Sequence, residues 1–108
     1  MQRITLNTVD AIHIIQVSNI IYCKSNNSYT TFYLTNQAPI MVSQSLKDVE
    51  KQLHKSSFIR PHQSYLVNPI HIVKVSKTNN YTIILSDKSI IPTSTRKRKE
   101  IMQILCCN

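Results

Sequence analysis

Apolar residues recur along this chain in short runs parted by asparagine-rich breaks. The runs at 11–16, 20–23, 29–34, 70–75 and 81–85 are rich in Ile, Val, Tyr and Thr. Those residues suit a pleated, half-buried surface, so the pattern predicts strands. Within 29–34 the alternation sets Thr30, Phe32 and Leu34 on one face and Thr31 and Tyr33, with Thr35 beyond them, on the other. The breaks at Asn26-Asn27, Asn36-Gln37, Asn79-Asn80 and Ser86-Asp87 are turn signals, because Asn and Asp tolerate left-handed backbone and bond their own main chain.

Two stretches depart from the strand rhythm. In 45–54, Leu46, Val49 and Leu53 fall on one helical face. Ser45 is placed to cap it, with Asp48 and Glu50 early and Lys51 and Lys55 late, as the helix dipole favours. A second helix is expected over 95–105, with Thr93 or Ser94 as cap and Ile101, Ile104 and Leu105 toward the core. Its charge order runs against the dipole: Arg96, Lys97, Arg98 and Lys99 crowd the first turn, with Glu100 as partial compensation. Each misplaced cation costs roughly 0.3–1 kcal/mol at low salt. Free backbone N–H groups together with such a cluster form a natural place for phosphate.

Composition narrows the function. The 108 residues suit one domain, 1–108, and 42% of them are apolar, enough for a modest core. No run approaches the roughly 20 apolar residues that span a bilayer, so a cytoplasmic protein with no membrane partner is expected. A formal charge of +8 and a pI near 9.7 point to an acidic partner, nucleic acid first. There is no glycine, which removes the glycine-rich phosphate loops of nucleotide-dependent enzymes. Five acids, scattered, provide no acid–base cluster, so no enzyme is expected. Cys23, Cys106 and Cys107 lack zinc spacing, and His13, His54, His62 and His71 lie far apart, so neither a metal nor a cofactor is expected. A Cys23–His62 nucleophile pair stays open, with a buried strand cysteine as the plainer reading.

The densest signal is Ser56-Ser57-Phe58-Ile59-Arg60-Pro61-His62-Gln63-Ser64-Tyr65-Leu66-Val67-Asn68. It resembles the F-I-R-x-H-x-S-Y-L-V-N signature of the LytTR family. Ser45-Leu46 with Val49 and Leu53 resembles that family's S-L…L…L helix. Ile91-Pro92-Thr93-Ser94-Thr95-Arg96 resembles its I-P-V-S-R stretch, and Ile20 to Ser25 followed by Tyr29-Thr30 resembles its I-x-Y-I-x-S…Y-T hairpin. The likeness covers essentially the whole chain in order. It departs at Gln63, where the family more often has Asn or Arg-type residues, and at Thr95, where an extra Arg is frequent.

The resemblance implies a mainly β, elongated fold of about ten short antiparallel strands in small sheets, with one or two short helices and a C-terminal helix. It also implies a bacterial transcription regulator's output domain, whose loops enter successive major grooves of tandem promoter half-sites. Double-stranded promoter DNA is the expected partner. A receiver domain or RNA polymerase is a further one, and the chain is expected as a monomer or weak dimer. The match begins almost at Met1, which leaves an excised output domain and a single-domain regulator both open.

Three places carry over by resemblance: the turn of Asn27, Ser28 and Tyr29, then Gln63 after His62, then Arg96. Their chemistry fits independently. Arg pairs with guanine O6 and N7, and Gln with adenine N6 and N7. Ser28, Tyr29, Gln63 and Arg96 are therefore the expected base readers. Lys24, Asn27, Arg60, His62, Lys97, Arg98 and Lys99 are the expected phosphate contacts, with a structural ion pair equally open for Arg60. Phe58 and Tyr65 are expected in the core, and Asn68 before Pro69 as a turn former. The competing classes are an RNA- or single-strand-binding β module, which needs exposed aromatics, and a protein-interaction module without sequence-specific DNA binding.

Overall fold

The computed structural model describes residues 2–106. β1 (Arg3–Asn7) and β2 (Ile12–Gln16) form a two-stranded sheet. β3 (Ile20–Asn26), β4 (Tyr29–Leu34), β5 (Ile40–Val42), β6 (Ile59–His62) and β7 (Tyr65–Val67) form the central sheet, in the order β5-β4-β3-β7-β6. β8 (Ile72–Ser76), β9 (Thr82–Leu85) and β10 (Ile90–Ile91) form a third sheet, in the order β10-β9-β8. α1 (Leu46–Gln52) joins β5 to β6, and α2 (Thr95–Cys106) follows β10. All strand pairs are antiparallel. The molecule measures 43 × 29 × 24 Å. This is the elongated, mainly β architecture of short strands that the resemblance implied.

β3 organises the layers. Ile20, Ile21, Tyr22 and Cys23 are all buried, because this central strand is covered on both faces. A continuous apolar run, rather than alternation, is the sequence mark of such a strand. Cys23, Phe32 and Leu66 join a core with Ile4, Leu6 and Ile15 of the first sheet and Leu46 and Val49 of α1. Tyr22, Ile59 and Val67 join a second core with Ile83, Leu85 and Ile91 of the third sheet and Ile101 of α2. Phe58 packs against the first core and Tyr65 against the second.

The two helices meet expectation with adjustments. Ser45 does cap α1: its Oγ accepts the Asp48 N–H at 3.1 Å. The helix stops at Gln52, with Leu53 leading into a 3-10 turn over His54–Ser56. In α2, Ile101 is buried and Leu105 packs on the second core, but Ile104 is 52% exposed, against expectation. Successive helical residues turn by about 100°, and the core covers the Leu105 side. Thr93 does not cap through its side chain, since its hydroxyl bonds the Tyr81 carbonyl at 2.9 Å.

Two strands start later than their apolar runs. Asn68 is buried and accepts the Ile70 N–H at 3.3 Å, so Pro69–His71 form a 3-10 turn before β8 begins. Tyr81 adopts φ 58, so β9 begins at Thr82. Asn27, Asn36 and Asn80 take positive φ, as their turns require without glycine, but so do Ser57, Tyr81 and Lys88. Pro61 lies inside β6, which is tolerated because β6 is an edge strand and Pro lacks only an outward N–H.

Candidate nucleic-acid interface

Register brings the three distant segments to one rim. Asn26 pairs with Tyr29, which leaves Asn27 and Ser28 as the β3–β4 turn. His62 pairs with Tyr65, which leaves Gln63 and Ser64 as the β6–β7 turn. β3 and β7 are neighbours with Lys24 opposite Tyr65, and the Ser25 N–H donates to the Ser64 carbonyl at 2.9 Å. Both turns therefore leave the central sheet at the same end. The Ser94 N–H donates to the Pro61 carbonyl at 2.8 Å, which lays the start of α2 beside β6.

Arg60, His62 and Gln63 line one cleft with Ser94, Arg96 and Lys97, about 400 Å³ in volume. Gln63 and Arg96 are exposed, and His62 is half-buried. His62 Nδ1 accepts the Ser64 N–H at 3.1 Å, so the neutral ring carries its proton on Nε2 and keeps that donor available. The ring's orientation is fixed by an edge contact to Tyr65, centroids 5.6 Å apart. Asn27, Ser28, Tyr29, Lys24 and Lys99 are exposed, with the Lys24 Nζ 5.7 Å from the Tyr65 ring.

Other cations of the expected set are engaged within the protein. Arg60 Nη1 donates to Glu50 Oε1 and Nη2 to the Gln63 carbonyl, both at 2.7 Å. Of the two roles open for Arg60, the geometry forms the ion pair. Arg98 lies 4.8 Å over the Tyr81 ring, and its Nη2 donates to the Asn80 carbonyl at 3.4 Å. Lys97 Nζ stands 3.5 Å from Glu100 Oε2 across an exposed helical turn, a pairing worth little in water.

Sequence reasoning missed Glu50 and Ser94 as parts of this site. Glu50 read as a solvated helix acid, because nothing in the sequence brings α1 to β6. Ser94 read only as a cap. The Cys23–His62 pair is not formed: Cys23 is buried in the first core, while His62 packs on Tyr65 of the second. Burial pushes the Cys23 thiol up, away from a thiolate. His13, His54, His62 and His71 stand on separate elements, and among the described residues no three potential ligands gather.

Fold and rim together define a class: a small β-rich module with one basic, donor-rich edge built from two hairpin turns and a helix start. The chain belongs to the LytTr DNA-binding domain family, whose pattern matches residues 10–106. The transcriptional regulatory protein LytR of Staphylococcus aureus (strain N315) is 34% identical over 84 residues, covering 78% of this chain and 34% of that protein. The sensory transduction protein LytT of Bacillus subtilis (strain 168) is 30% identical over 105 residues, covering 95% and 43%. A LytTr DNA-binding domain from Bacillus cereus has the same fold, with a TM-score of 0.81 at 24% identity over 97% of each chain. The chain thus spans between 34% and 43% of the length of these two curated relatives.

Proposed function

We propose that this chain is the double-stranded DNA-binding output domain of a bacterial transcription regulator. The 1–108 segment is read as a single domain, acting on promoter DNA as a monomer or weak dimer on tandem half-sites. Gln63, Arg96 and the Ser28–Tyr29 turn read base edges, and Lys24, Asn27, His62, Lys97 and Lys99 hold phosphates. Arg60 and Arg98 brace the readers from behind. A receiver domain or RNA polymerase is the further protein partner, in a cytoplasmic setting.

The observation that carries this reading is the shared rim. Three segments far apart in sequence, each with an exposed side chain suited to a base edge, converge on one end of one sheet. The long dimension of 43 Å exceeds the roughly 34 Å between successive major grooves, which supports contact with two of them. A single-strand platform needs open ring faces, but Tyr22 and Tyr33 stack on each other at 4.4 Å, and Tyr29 alone among the aromatics is exposed.

The test selects bound duplexes from a random library and then titrates salt against the recovered site and a scrambled duplex. Two tandem half-sites, preferred clearly over the scramble, are expected. Equal binding of both duplexes would reduce the rim to a nonspecific cationic surface.

A further inference from the structure

An unusual piece of backbone lies beside the candidate reader. Asn80 and Tyr81 occupy the left-handed region in succession, φ 57 and 58, between the Lys77–Asn79 turn and β9. Asparagine settles there through its short polar side chain, whereas a ring-bearing residue does so rarely. Such a conformation persists where its surroundings over-determine it.

Those surroundings are the two flanks of Arg96. The Thr93 hydroxyl reaches the Tyr81 carbonyl at 2.9 Å and the Asn80 carbonyl at 3.4 Å. Arg98 reaches the Asn80 carbonyl at 3.4 Å while its guanidinium lies 4.8 Å over the Tyr81 ring. Arg98 Nε is buried and bonds nothing, so the group is held by the ring and by that one bond. The β8–β9 connection thus holds the chain on both sides of Arg96, before α2 at Thr93 and within it at Arg98. The central sheet grips it separately, through Ser94 and Pro61, one residue from His62 and two from Gln63.

We infer that Tyr81 and Arg98 are positioning residues for Arg96, fixing its distance from Gln63 so that both meet their bases in one register. The inference rests on the reading of Arg96 as a base-contacting residue. A planar guanidinium is needed for the stack, so lysine is not an equivalent. An Arg98 that served phosphate would act through charge alone, and lysine would replace it.

The 108-residue chain is titrated with the duplex recovered by selection and with a scrambled duplex of the same composition. The variants are Arg98→Lys, Arg98→Gln, Tyr81→Ala, Tyr81→Phe and Arg96→Ala. Arg98→Lys and Tyr81→Ala should each lower affinity for the selected duplex about tenfold, with the scrambled duplex and the salt slope unchanged. Tyr81→Phe keeps the ring and should bind as the parent does. In an Arg96→Ala background, Arg98→Lys should have no further effect, a coupling that general loosening of the fold does not produce. A normal Arg98→Lys, with Arg98→Gln weakening both duplexes and lowering the salt slope by about one, overturns the inference in favour of a phosphate contact. If Arg96→Ala loses sequence preference while Tyr81→Ala and Arg98→Lys keep it, the base reading stands and the positioning role falls. If Arg96→Ala keeps its preference, both fall together.

Discussion

Glu50 of α1 and Arg60 of β6 meet at 2.7 Å, and the same guanidinium holds the Gln63 carbonyl at an equal distance. An acid on the helix thus orients the arginine that holds the turn at the end of β6. Glu50 also holds negative charge on a rim expected to face phosphate.

Glu50→Gln separates those two effects. The acid is 46% exposed, so its loss should cost under about 1 kcal/mol of folding stability. Affinity for a scrambled duplex should rise as the formal charge climbs by one from +8, while the preference for the selected duplex falls roughly 3- to 10-fold. Paired titrations of the two duplexes read both quantities.

Arg96→Ala should cost about 1–3 kcal/mol of specific binding and relax selection at one position of each half-site. Repeating the library selection with the variant checks this. An unchanged motif would remove Arg96 from the readers.

Lys24→Ala and Lys99→Ala should act differently. Each should weaken selected and scrambled duplexes alike and lower the salt slope by about one, as loss of a phosphate contact does. A change of motif in either variant would reassign that lysine to base reading.

Asn68→Ala addresses the fold alone. The Asn68 side chain donates to the Val17 and Ile20 carbonyls at 3.3 and 3.0 Å and accepts the Ile70 N–H. Leaving those buried groups without a partner should cost about 1–3 kcal/mol. The urea midpoint should fall, with the recovered motif unchanged.

Cys23 predicts a dependence on alkaline pH. Burial raises its folded pKa above the ordinary 9.0, so its contribution is complete below pH 9. As pH climbs past 9 the unfolded chain releases the thiol proton and the folded chain does not. Stability should then fall by up to about 1.4 kcal/mol per pH unit from this group. Urea melts between pH 8 and 10 should show the decline, and Cys23→Ala should flatten it. Tyr22, raised first by burial, adds a fall in the same direction above its ordinary 10.0.

Legibility in the sequence followed the range of the forces involved. The apolar run of β3, the alternation of β4 and the Ser45 cap act between near neighbours, and each was readable from a short window. β1, β5, β6, β7 and β10 carry no run that marks a strand by itself, because each depends on a partner strand more than on its own residues. The candidate readers were readable through the family motif and the reversed charge order of α2, but their company was not. Arg60 with Glu50, and Arg98 with Tyr81, are contacts between separate elements, and no spacing along the chain encodes them. Ile104 departs from expectation because helical periodicity gives the faces of a helix but not how wide an arc of it the core covers.

The proline inside β6 bears on how copies of the protein share space. Pro61 has no N–H to offer, and its carbonyl is occupied by Ser94. The opposite border, β5, is only three residues long and follows Pro39. Neither margin of the central sheet presents a long open ladder onto which another chain can stitch itself. On the proposed reading, copies bound side by side on DNA would gain no strand pairing through the central sheet, and the DNA would set their spacing.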